Sequence, residues 1–545
     1  MSTRQEVDAL ATLAPELDRR SMDAETDDER KAETSTEGDK EDPAPAPSIP
    51  LHPWRIKGPA ILLTLFLTLG SNFASSSISP LKSTIKKELG VNNAQYADIA
   101  TADSLINTIL PILTGIAVDY FGPLATAIYA STVVLLGTIL SAIGASQSSY
   151  PLVLIGHIVL GFGSTTIETV QSKIYSFYSV GMMGFVYGLD IAIGRVYNLI
   201  GKLTSVPIAE GTGNWAWTFG VAAIFCAFTW VLTLAFFFYE RTFPSQHRVP
   251  TGRQVAQRKA QAAGLARPGF WSSWKSDRKF FAASILSIPA CFWILDISQL
   301  FQSGAVLTYT SNLADTIRVT RNATTAAAGY TSAIGQVIPI VLTPCLGIFF
   351  DRLGRRMHWV TFTASLWVLV FALLAYTDVH PLVPSILGSL ALATNVLPWI
   401  ASIPLLVPNQ ANLGTAFGIY KALNNCGSVV MNVASGAIQD QTAKSAKDPR
   451  QYRYVFAFLI VVKGLDVLYG LGYHWFDLKC LNGILYANEK ERVAREEEDA
   501  ALDDLSREGR RGALRRPIKE VTYVSLGVVV SMVIIAWVLY LYYSV

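Results

Sequence analysis

Apolar runs of 18 residues or more recur along this chain, and they dictate its solvent. A run that long crosses about 30 Å of hydrocarbon as a helix, and a helix satisfies its own backbone donors and acceptors where no water can. Six runs fall at residues 58–80, 96–118, 123–145, 151–177, 182–207 and 215–239. Six more fall at 280–308, 325–350, 358–376, 382–407, 412–438 and 453–475, and a thirteenth at Val521 to Tyr543. The expected fold is therefore an all-α membrane protein of two six-helix bundles with an extra C-terminal helix.

Composition agrees, since 51% hydrophobic residues, 16% charged residues and a mean hydropathy of +0.35 lie outside the range of soluble globular chains. The expected division is an acidic cytosolic tail at 1–57, a first bundle at 58–240 and a basic cytosolic linker at 241–279. A second bundle at 280–477, a charged cytosolic segment at 478–520 and the last helix at 521–545 complete it. Residues 1–50 hold fourteen Asp or Glu and six Lys or Arg, too polar a stretch to bury a core.

The interval 241–279 carries nine Lys or Arg and one Asp, which places it on the cytosolic side and the N-terminus with it. The glycosylation sequon Asn322-Ala323-Thr324 then falls on the opposite, lumenal or extracellular face, where Asn322 can carry glycan. Five cysteines lie singly in or beside apolar segments and offer neither a disulfide framework nor a CxxC metal pair. With no nucleotide-phosphate loop, zinc spacing or nucleophile elbow, the sequence predicts a non-enzyme without metal or cofactor. Its expected partners are the bilayer and a small molecule, with no nucleic acid.

Two charges stand out between Gly161 and Lys202. Glu168 lies in the fourth run and Arg195 in the fifth. Counted back from the shared turn near Val180 at about 1.5 Å per residue, both reach roughly 15–20 Å into the membrane. Such groups cost about 3 kcal/mol or more in hydrocarbon, so they must face each other or a polar cavity. They read as the two poles of a site for a small zwitterion; the alternative is a mutual salt bridge joining two helices.

Asp103, Asp296 and Lys421 are further candidates for the cavity, with Tyr175, Tyr197 and Trp399 as apolar walls. Lys173 and Lys202, close to helix ends, are expected to snorkel to the interface. Asp190, off the face of Arg195, is expected in a structural pair or beside water, and His157 packed and hydrogen-bonded or sensing protons.

The loops after the second and eighth runs repeat one pattern 232 positions apart, GIAVDYFG and GIFFDRLG. Gly115, Asp119 and Gly122 in the first match Gly347, Asp351 and Gly354 in the second. Glycine lets helices approach and permits tight turns, and the aspartate can accept from the free N–H groups that open a helix. This pattern resembles the G-x-x-x-D-x-x-G loop of the major facilitator superfamily, whose halves are related by pseudo-twofold symmetry. The second copy has Arg352, Arg355 and Arg356; the first lacks the family's basic residues, which leaves any latch built on those charges open there.

The stretches IETVQSKIYSFY, VYGLDIAIGR and LGTAFGIYKALNNCGSVV resemble the lysosomal dipeptide transporter branch of that superfamily. The resemblance implies that Glu168 and Arg195 hold the amino and carboxylate ends of a dipeptide, that the carrier is a uniporter of lysosome or vacuole, and that a single-span accessory glycoprotein assists it. Location in the plasma membrane is the alternative. Two rival functions are a proton-coupled symporter of small organic anions, with Asp103 or Glu168 carrying the proton, and a non-transporting receptor or scaffold.

Overall fold

The second membrane-spanning segment ends where the chain reverses on a single glycine. Phe121 closes the helix Leu110–Phe121, Gly122 takes φ +93°, and Pro123 opens the next helix, Pro123–Ser146. In the other half Gly354 at φ +65° and Arg355 at φ +55° make the equivalent turn between Thr325–Leu353 and Arg356–Tyr376. A side chain on Gly354 would run into the carbonyl oxygens of Tyr486 and Ala487, so glycine is required there twice over, for its backbone angle and for space.

This computed structural model describes residues 53–91, 106–244, 247–249, 251, 284–407, 412–442, 450–500, 514 and 516–544, and among these residues every regular element is a helix. Ten helical stretches are long and apolar enough to cross a membrane. Two more, Met183–Thr212 and Leu413–Thr442, are 30 residues each but more polar, because they carry Asp190, Arg195, Asn198 and Lys202, and Lys421, Asn424 and Asn425. The described part of the second span is Leu110–Phe121. The tail at 1–52, most of the basic linker, Asp103, Arg510, Arg511 and Arg515 lie outside the described residues.

The first and seventh spans are both broken. Trp54–Phe66 gives way to Leu69–Ser77 through Leu67, and Ala290–Asp296 to Gln299–Thr320 through Ile297. The breaks are 230 positions apart (67 to 297), close to the spacing of the glycine-aspartate loops, so the repeat is structural as well as sequential. The tenth span is also interrupted, as Leu382–Asn395, Leu397–Ile400 and Ile403–Leu406.

The halves meet along two seams near the face that carries both glycine-aspartate loops, here called the motif face. In one, the fifth span (Met183–Thr212) packs on the eighth (Thr325–Leu353). In the other, the second span packs on the eleventh (Leu413–Thr442). Each seam is zipped by glycines whose missing Cβ lets backbone touch backbone: Gly347 lies against the carbonyl of Gly184 and Gly188 against that of Thr343, while Gly115 lies against Gly414 and Gly418 against Pro111.

The motif aspartates cap helices across these seams. Asp119 accepts from the N–H groups of Gly414 and Thr415 at 2.8 and 2.7 Å, and from the Thr415 hydroxyl at 2.7 Å. Asp351 accepts from the N–H groups of Gly184 and Phe185 at 2.8 and 2.9 Å. The capped helix is thus the eleventh or fifth, in the opposite half, where free N–H groups and the helix dipole favour a carboxylate. Arg352 is exposed, Arg355 lies 5.2 Å from the Tyr486 ring, and buried Arg356 donates to the carbonyl of Ala487 at 3.2 Å. The first copy's missing basic residues therefore leave its latch intact.

Lys173 is fully buried and pairs with Asp119 at 2.5 Å, which corrects the expectation that it snorkels. Distance from a helix end sets depth but not direction, and Lys173 points inward to the one place where a cation neutralises the cap. His157 is packed edge-on against Phe219, with Nδ1 2.9 Å from the carbonyl of Val153 and 3.3 Å from the Ser141 hydroxyl.

The thirteenth helix, Lys519–Ser544, lies against the eleventh span and against Ala290–Asp296. It also reaches the other half: the Trp537 indole donates to the Thr108 hydroxyl at 3.0 Å. Just before it, the carbonyl of Arg516 accepts from the N–H of Ala290 at 3.1 Å. Ending the chain after Pro517 removes the buried contacts of Thr522, Ser525, Val529 and Ala536. The purified truncated protein is expected to melt about 5 °C or more below the full chain in a thermal-shift assay.

Candidate functional site

Closure at the motif face leaves a cavity of about 990 Å³ between the halves. It runs from Glu168 and Lys421 at mid-span to Ile78, Lys202 and Ser311 near the face that bears Asn322. Its walls are drawn from the first, second, fourth and fifth spans on one side and the seventh, eighth, tenth and eleventh on the other. The sequon residue Asn322 itself is exposed in the turn before Thr325–Leu353, and Thr324 caps that helix by accepting from the N–H of Ala327.

Glu168 and Arg195 both line this cavity, and among the described residues they form no ion pair with each other. Each is instead met by a residue of the opposite half. Glu168 Oε2 accepts from the Lys421 ammonium at 2.7 Å, with half of the Glu168 side chain still open to the cavity. Arg195 Nη1 donates to Gln336 Oε1 at 2.8 Å, while its buried Nε has no hydrogen-bond partner among the described residues. Lys421 therefore has its counter-charge, whereas Arg195 has, among the described residues, only a neutral amide.

Asp190, placed by helical geometry off the face of Arg195, shares the cavity wall with it. Positions 190, 194, 198 and 202 follow the i,i+4 stripe of one helix face, and the cavity is wide enough to take in Arg195 beside that stripe. Tyr175 donates to Asp190 Oδ1 at 3.1 Å and accepts from Gln171 Nε2 at 3.0 Å. Gln171 in turn donates to the carbonyl of Thr64 at 3.0 Å. Tyr175 is thus fully buried behind the wall, positioning Asp190 rather than forming an apolar surface. Lys202, exposed near the Asn322 face, also lines the cavity.

Other candidates stand elsewhere. Tyr197 is buried against the first span, its hydroxyl 3.4 Å from the carbonyl of Leu65. Asp296 and Trp399 line a separate void with Phe292, Met357 and Ser402, large enough at about 10 Å³ for roughly one water. Asp296 is 4% exposed and its Oδ2 has no partner among the described residues. Tyr420 lines both spaces and separates them.

Sequence reasoning passed over the uncharged polar wall, including Asn72, Asn107, Asn198, Gln336, Asn424 and Asn425. Amides recurring at helical spacing inside apolar runs were the available signal, because a membrane helix has no reason to carry them toward lipid. Among the described residues no group of three or more His, Cys, Asp or Glu is placed to hold a metal ion.

Two helical bundles clasped at one face around a polar mid-membrane cavity have the architecture of a membrane transporter. The sequence profile of the Major Facilitator Superfamily matches residues 64–313 and 296–545, and the chain belongs to that superfamily of multi-pass membrane transporters. The lysosomal dipeptide transporter MFSD1 of Danio rerio is 24% identical over 431 residues, covering 74% of this chain and 85% of that protein. The Homo sapiens protein of the same name is 22% identical over 425 residues, covering 75% and 83%.

Among solved structures, the proton:xylose symporter XylE superposes with a TM-score of 0.53 at 15% identity, over 76% of this chain and 94% of its own. The E. coli fucose:proton symporter FucP gives 0.52 at 14% identity, over 75% and 99%. The human organic anion transporter MFSD10 gives 0.50 at 15%, over 76% and 100%. At these identities the structures share a fold with the chain and nothing narrower.

Proposed function

We propose that the protein is a passive carrier of dipeptides, a uniporter of the lysosomal or vacuolar membrane. Glu168 holds the substrate ammonium, Arg195 its carboxylate through paired N–H donors, and the halves rock around them. The N-terminal tail, the charged segment 478–520 and the motif face are cytosolic in this reading, Asn322 is lumenal and glycosylated, and the cavity opens to the lumen. The observation that carries it is Arg195: a guanidinium deep in the membrane that, among the described residues, has an amide in place of a counter-charge and an Nε without a partner, across a cavity from a carboxylate already gripping an ammonium. The dipeptide transporters to which the chain is similar support the substrate class. An accessory single-span glycoprotein is compatible with this reading, and the extra helix supplies part of the support it would give.

The rival of a small organic anion carried with a proton gains from one detail. Glu168 already has Lys421, whereas Arg195 has, among the described residues, only an amide, so an anion suits the empty site as it stands. Flux in liposomes separates the two. Dipeptides are expected to compete at least about ten-fold better than the same peptides with an acetylated amino group, a loss of one charged hydrogen bond, and flux is expected to follow peptide concentration regardless of an imposed proton gradient. Equal competition by the acetylated peptides favours the anion carrier, and no flux of either favours the receptor or scaffold.

A further inference from the structure

We infer that Lys421 and Gln336 act as built-in stand-ins for the substrate, and that they are what allows the carrier to cross the membrane empty. The inference rests on the dipeptide reading of the site and adds its mode of operation: net transport rather than obligatory exchange.

The argument starts from which half each group belongs to. The two substrate-gripping residues, Glu168 and Arg195, sit on the fourth and fifth spans, in the first half. The groups that satisfy them sit on the eleventh and eighth spans, in the second half. Their chemistry copies that of the ligand. Lys421 offers Glu168 a primary ammonium at 2.7 Å, and Gln336 offers Arg195 an sp² oxygen at 2.8 Å. A bound dipeptide must displace both, and in doing so it breaks these two links between the halves.

To change the face to which it opens, an alternating carrier passes through a state in which both ends are shut and cavity water is largely expelled. An ionised group left unpaired in that state costs several kcal/mol. With substrate present, the substrate pairs the charges. Without it, Lys421 pairs the Glu168 charge and the Gln336 oxygen accepts from Arg195, so neither group makes the empty crossing without a partner. A carrier without such internal partners returns only when loaded, which makes it an exchanger.

The test compares two fluxes in liposomes reconstituted with the full chain: net uptake of a labelled dipeptide into empty vesicles, and exchange with unlabelled dipeptide on both sides. In Lys421→Met and in Gln336→Leu the ratio of net uptake to exchange is expected to fall about ten-fold or more, about 1.4 kcal/mol on the empty crossing. Lys421→Arg, which keeps a cation on Glu168, is expected to retain the wild-type ratio. If net uptake and exchange fall in proportion, or neither falls, the inference is wrong. If Lys421→Met does not fold, Gln336→Leu decides alone by the same ratio. Wild-type protein that moves no dipeptide in either mode refutes the substrate reading instead.

Discussion

Replacing Arg195 with alanine is expected to lower dipeptide flux by at least about 100-fold, while the protein stays monodisperse and melts close to the wild-type temperature. The substrate carboxylate loses a charge-assisted, two-pronged partner and is left with neutral amides, and truncating one side of a buried charge pair costs about 2–5 kcal/mol. Folding is spared because, among the described residues, Arg195 gives up one hydrogen bond, to Gln336, and its Nε has no partner to lose. Arg195→Lys keeps the charge but not the planar fork, so it is expected to recover only a small part of the flux. Liposome uptake beside a thermal-shift measurement reads both quantities, and wild-type flux in the alanine variant removes the proposed site.

The second large effect concerns closure. Gly347→Val places a branched side chain where the eighth span touches the carbonyl of Gly184 and the backbone of Phe185. Backbone cannot retreat as a flexible side chain can, so the seam is held apart and the aspartate cap beside it is lost. Flux is expected to fall at least about ten-fold, because a carrier that cannot shut one face cannot alternate. Spin labels on exposed Phe121 and Leu353, one in each half at the motif face, are expected to move apart in the variant relative to the parent. Unchanged separation together with normal flux shows that the seam tolerates the substitution and that its glycines are not required for closing.

How far the chain could be read without coordinates depended on whether the signal was local. Apolar length marks ten crossings among the described residues, and a loop pattern repeated in both halves announces their kinship, because both are properties of contiguous residues. Glu168 and Arg195 stood out for the same reason: a charge inside an apolar run is visible in a window of twenty residues. Partnership was not visible. Lys421 meets Glu168 across 253 positions, and nothing near either residue announces it.

Direction around a helix was equally hidden. Lys173, judged by its distance from a helix end, was assigned to the interface, whereas its rotation about the axis delivers it to Asp119. Trp399 and Tyr175 were set on the cavity wall because aromatics suit peptide side chains, yet one faces a separate void and the other braces Asp190 from behind. For the amides of the wall the difficulty was strength of signal, since Asn and Gln in a membrane run are polar enough to matter and too ordinary to single out.

The two capping aspartates are matched in position but not in holding power. Asp119 binds three donors of the eleventh span and is itself neutralised by Lys173 in a dry setting, whereas Asp351 binds two and is only partly enclosed. Parting the motif face therefore has to pull the buried Asp119–Lys173 pair off the eleventh span at one seam, and the carboxylates of Asp351 and Glu489 off Gly184, Phe185 and Gly181 at the other.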